Sequence, residues 1–141
     1  MVQNGVLSAN GNAVRANSTR AGGGSGGGIF VLCRRFEGGM NAVMRADGGN
    51  GGTDRTGGGG GGRIAVWYGV DSALFPNIIA GQLRSYSAEG VTYDAYLGAL
   101  SVTYGKGYGL NGVPGTNDQN GEPGTIGFFE TPPTGTVIVL R

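Results

Sequence analysis

The sequence predicts an all-β chain: a parallel β-helix or β-solenoid-like stack of short strands joined by long glycine-rich loops. Three observations predict it. Short apolar runs alternate with a period of two, the same order of segments recurs along the chain, and glycine runs end directly in strands. A β-sandwich or a bundle of polyglycine II helices would be the alternative architectures for this composition.

The strands come first. A strand places successive side chains on opposite faces. Ile29, Val31 and Cys33 therefore share one face, and Phe30, Leu32 and Arg34 the other. Ile64, Val66 and Tyr68 share a face opposite Ala65 and Trp67, and Val137 and Val139 alternate with Ile138 and Leu140 in a C-terminal strand over 134–141. The best helical stretch, Asp71 to Ile79, is interrupted by Pro76, so almost no helix is expected.

The repeat comes second. Leu7-Ser8-Ala9-Asn10-Gly11 matches Met44-Arg45-Ala46-Asp47-Gly48 and, more loosely, the run from Leu83. Gly27-Gly28-Ile29-Phe30-Val31 matches Gly62-Arg63-Ile64-Ala65-Val66 and then Gly124-Thr125-Ile126-Gly127-Phe128. One domain over 1–141 thus divides into units at about 5–36, 41–70 and 81–130, with an insertion at about 91–117. Stacked edge to edge, Leu7, Met44 and Leu83 would line one ladder, and Ile29, Ile64 and Ile126 another.

The glycine runs come third. Gly22 to Gly28, with Ser25 inside, and Gly57 to Gly62 hold the same place in successive units. Glycine in a folded element loses more backbone entropy than any other residue. A repeated run therefore points to a steric need, either positive φ or the close approach of two backbones. Repeat arrays usually carry atypical capping units. None is evident, which favours a segment of a longer parent or a subunit that stacks on another copy.

Composition excludes several functions. Glycine supplies 33 of 141 residues without falling at every third position, which rules out collagen. Ten basic and nine acidic residues leave no footprint for nucleic acid. No stretch approaches the ~20 apolar residues of a membrane-spanning helix. No histidine is present, which removes His-based triads and metal sites. Cys33 is the only cysteine and reads as a small core residue. The start lacks the basic and apolar regions of a secretion signal, so the chain is expected to be intracellular or part of a longer exported parent.

The segments Leu7 to Gly11, Ala21 to Ile29 and Gly48 through Val66 resemble glycine-rich repeats of large bacterial secreted and surface proteins, the parallel β-helix adhesins and autotransporter passenger domains. The resemblance covers residues 5–70 well and 81–130 poorly. It implies an extracellular or cell-surface location, a β-solenoid and a structural or adhesive role, with no catalytic motif to carry over; the missing caps add the expectation of self-assembly.

Several other motifs compete with that reading. Gly107 to Gly112 fits a dinucleotide-binding spacing but runs into Val113-Pro114, which cannot open the required helix. Gly48 to Asp54 nearly fits a calcium-binding nonapeptide with the aspartate displaced. Asp118 and Asn120, in the oxygen-rich run 117–122, are the candidate calcium ligands; no other cofactor is implied. The carboxylate pairs Asp47 with Asp54 and Asp94 with Asp118 would be needed for a polysaccharide-cleaving site, but nothing in the sequence brings either pair together. Five of six tyrosines fall within 86–108, and Tyr86, Tyr93, Tyr96 and Tyr104 are candidates for stacking on sugar rings. A carbohydrate-binding or polysaccharide-cleaving module is therefore the alternative to the non-catalytic structural role.

Overall fold

The computed structural model describes residues 1–15, 18–81, 94–109 and 119–130. Its strands are β1 (Val2–Gln3), β2 (Val6–Ser8), β3 (Gly28–Leu32), β4 (Glu37–Gly38), β5 (Val43–Arg45), β6 (Arg63–Tyr68), β7 (Ala99–Ser101) and β8 (Thr125–Glu130). They pair only in parallel, as β1-β4, β2-β5-β7 and β3-β6-β8. The chain is thus mostly strand and parallel. The bridge from Gly38 to Tyr96 gives the β1-β4 pair a third member.

The registers follow the repeat. Ile29 pairs with Ile64 and Ile64 with Ile126, as expected. Leu7 pairs with Met44, but the third place in that ladder belongs to Leu100. Leu83, expected there, lies outside the described residues, as does the strand expected over 134–141. The insertion expected at 91–117 also needs correction. Within it, β7 and residues 102–107 are a full rung of the stack. A polar, tyrosine-rich stretch hid the alternation of a strand only three residues long.

The core lies between the ladders. Met44, Ile64 and Val66 are fully buried, and Phe128, Val31, Leu7, Leu100, Ile29 and Ile126 pack with them. Phe36 and Tyr96 stack with ring centroids 5.6 Å apart and close the cluster from the β1-β4 side. The little helix present is a 3-10 turn at Ser72–Leu74 leading into α1 (Phe75–Ile79). Asp71 caps the turn by accepting from Ala73 N at 3.1 Å. Pro76 sits in the first turn of α1, where its missing N–H breaks no bond.

The glycine-rich stretches are tied to one another by backbone hydrogen bonds. Six segments, 9–14, 22–27, 46–51, 57–62, 102–107 and 119–124, form two layers. In the first layer Gly11 and Val14 donate to Asp47 O and Asn50 O, and Gly48 and Gly51 donate to Thr103 O and Lys106 O. In the second, Gly23 and Gly26 donate to Gly57 O and Gly60 O, and Gly58 and Gly61 donate to Gln119 O and Glu122 O. Donors recur every third residue. Other N–H groups run between the layers, Gly24 to Asn12 O, Gly49 to Gly24 O, Gly59 to Gly49 O and Gly105 to Gly59 O, at 2.7 to 2.9 Å.

This arrangement settles why the runs are glycine. Among described glycines only Gly69 and Gly81 have positive φ, so left-handed backbone is not the need. Close approach is. A Cβ on Gly49 would stand 2.1 Å from Asn12 O, and one on Gly59 2.0 Å from Gly24 O. The left-handed positions fall instead on Arg20 (φ 61) and Arg55 (φ 50), beside the bridge between Thr19 and Asp54, where the chain crosses from one layer to the other.

Candidate functional site

Among the described residues, two surfaces could take a ligand. One is a groove of about 550 Å³ on the outer face of β3-β6-β8, lined by Phe30, Trp67, Phe129 and Ile78 with Arg63 at its edge. Period two puts these rings outside while Ile64 and Val66 point in. Trp67 and Phe129 stack at 5.1 Å, and Phe129 lies over Gly127, where a Cβ would come within 2.5 Å of its ring. Phe30 is 55% exposed.

The other is a polar cleft of about 290 Å³ at the third-rung edge of the glycine layers. It is lined by Tyr104, Asn120, Gly121, Glu122 and Pro123. Tyr104 is 42% exposed. The Asn120 side chain accepts from Gly107 N at 3.0 Å, so its oxygen is already engaged at the cleft it lines.

The two described candidate tyrosines, Tyr96 and Tyr104, do not share a surface. Tyr96 is 8% exposed and belongs to the core. Its ring crosses Gly38, where a Cβ would stand 2.2 Å away, and its hydroxyl donates to Gln3 Oε1 at 3.2 Å. Burial pushes its hydroxyl pKa up, against a smaller opposing effect of the Met44 backbone. Tyr104 alone of the described candidates lines a cleft; Tyr86 and Tyr93 lie outside the described residues. Of the calcium candidates, Asn120 is bonded as above and Asp118 lies outside the described residues. Among the described residues no three His, Cys, Asp or Glu side chains converge.

No known protein family, curated protein or solved structure matches this chain.

The polar side chains that are engaged serve the stack. Asn10 Oδ1 accepts from Asp47 N at 2.8 Å, Asp47 Oδ1 from Thr103 N at 2.9 Å, and Asn50 Oδ1 from Lys106 N at 2.8 Å. Three backbone amides are thus met by an Asx side chain one rung earlier, and the repeat match of residues 10 and 47 already paired two of those side chains. Partial burial alone would raise the Asp47 pKa. Hydrogen bonds from Ser101 and Thr103, with Arg45 nearby, outweigh it and hold the carboxyl below its ordinary range. Cys33 is half-buried and donates weakly to Trp67 O at 3.7 Å; burial raises its pKa, with a smaller lowering by the N-terminal amine. Among the described residues no helix is long and apolar enough to cross a membrane.

Proposed function

We propose that this chain is a non-catalytic structural or adhesive segment of an extracellular or cell-surface protein. Its partner is a larger parent protein or another copy. The architecture we propose is a short β-solenoid, one half packed by side chains and the other built as a polyglycine II stack with three residues per turn. One observation carries the reading: three successive units repeat the same parallel register and the same three-residue backbone bonding, and the side-chain polar groups are spent on holding neighbouring units together. Such a body suits a rigid spacer or display surface, because its stability adds unit by unit. Particles coated with the purified chain should be retained on a cell or mineral surface in flow, and the chain should resist proteinase K across residues 21–28 and 57–62. Rapid cleavage there together with no retention sinks the proposal.

A second reading is favoured by the polar cleft. A tyrosine face beside an amide and a carboxylate is suited to one sugar ring, with the ring stacked and the hydroxyls hydrogen-bonded. A glycan array decides between them: binding that disappears on Tyr104→Ala supports the carbohydrate module, and no binding removes it.

A further inference from the structure

The two edges of the glycine layers are chemically unlike. On the first-unit edge the carbonyls of Asn10, Ala13, Gly22 and Ser25 accept no hydrogen bond from the described residues. Their counterparts in the second and third rungs all accept one, as set out above. Here the stack is open. Gly24 is exposed where its counterpart Gly59 is buried under a neighbouring rung.

The third-unit edge is closed. In the first and second rungs, the second-layer positions that face the following rung must be glycine. A Cβ on Gly23 would stand 1.9 Å from Gly49 O, on Gly26 2.2 Å from Ala46 O, on Gly58 1.8 Å from Gly105 O, and on Gly61 2.1 Å from Val102 O. In the register that pairs Arg63 with Thr125, the third rung carries Asn120 opposite Gly58 and Pro123 opposite Gly61. Side chains therefore occupy the space where a fourth first-layer segment would run.

The hydrogen bonds agree. Val14 N and Gly51 N each donate to the carbonyl of the following rung, Asn50 O and Lys106 O. The next N–H in that series is Gly107, and it donates to the Asn120 side chain instead. Gly26 N and Gly61 N donate to Gly60 O and Glu122 O, whereas Pro123 in the same place has no N–H. Tyr104 stands where the earlier rungs have Gly11 and Gly48. Those two glycines pack against their own rung, a Cβ falling 1.9 and 2.0 Å from Gly24 O and Gly59 O, whereas Tyr104 lines the cleft beside Asn120 and Pro123 at the third-rung edge.

We propose that Asn120, Pro123 and Tyr104 form a terminal cap that ends the glycine stack at its third rung and prevents one copy from continuing onto the next. The Asn120 side chain replaces the missing rung's carbonyl, as an N-cap side chain replaces missing helix partners. Proline on an exposed edge is a known guard against edge-to-edge pairing. The inference goes beyond the scaffold role and stands on the stack's geometry alone. It also supplies the capping unit that the sequence did not reveal.

The test uses the full chain with Tyr104→Gly, Asn120→Gly and Pro123→Gly combined, which restores the earlier-rung residue at each position. Sedimentation and light scattering should show concentration-dependent head-to-tail species absent from the parent chain. Adding Gly27→Arg, on the open edge, should return the variant to the parent's mass. A triple variant that is folded by circular dichroism and keeps the parent's mass overturns the proposal. If the triple variant does not fold, Asn120→Ala decides. Exchange of the Gly107 amide should rise about tenfold, the loss of one hydrogen bond, with Gly51 unchanged. Unchanged Gly107 exchange overturns the cap.

Discussion

The strand half and the glycine half of this molecule share one connectivity and one register but are held together differently. In the strand half, Met44, Ile64, Val66 and Phe128 remove apolar surface from water. In the glycine half almost no side chain is buried, and segments approach until backbone touches backbone. Removing a methyl group weakens the first half, whereas adding one damages the second. The same repeat can thus be stabilised by burial or by exclusion of side chains altogether, and the two halves should respond oppositely to the same kind of substitution.

The strongest way to break the comparison is Gly49→Val. Its Cβ would stand 2.1 Å from Asn12 O, with backbone rather than a flexible side chain in the way. The expected loss is about 4 kcal/mol or more, among the largest single-residue effects, read by urea unfolding; a loss below ~1 kcal/mol would contradict close packing of the layers. Met44→Ala in the other half should lose about 3 kcal/mol by deleting a fully buried side chain. Asp47→Ala comes next, at about 1 kcal/mol, because it releases Thr103 and Ser101.

Acid provides an independent check on Asp47. Its folded pKa is depressed, so its stabilisation is present above the ordinary value of 3.8 and fades as pH falls through the lower folded value. The Tm of the parent chain should drop with acid more than that of Asp47→Asn. The smallest effect is expected for Gly28→Ala at the junction of the halves. No atom lies within 4 Å of the new Cβ there, so stability should change by no more than ~0.5 kcal/mol.

The two halves were also unequally legible. Period two identified β3 and β6, and the Ile29, Ile64 and Ile126 ladder follows from matching three short motifs. The β7 rung was missed because Ala99-Leu100-Ser101 presents a single inward apolar residue inside a polar, tyrosine-rich stretch. The glycine runs signalled a steric need but not which one, since close approach and positive φ both select glycine. The backbone φ values and the distances between segments distinguish them. The packing of Tyr96 over Gly38 was not legible, because tyrosine spacing carries no sign of the glycine beneath it. The cap was hidden because Asn120 and Pro123 look like ordinary turn residues. They become informative only when set against Gly58 and Gly61.

Residue-resolved hydrogen exchange on the intact chain tests the stacked glycine layers most directly. Amides of Gly23, Gly26, Gly58 and Gly61 should exchange at least about a hundredfold more slowly than an unstructured glycine, with protection comparable to Ile64 in β6. Glycine amides that exchange at the free-peptide rate while Ile64 remains protected would mean that the runs are loose connectors, and the stack would not exist.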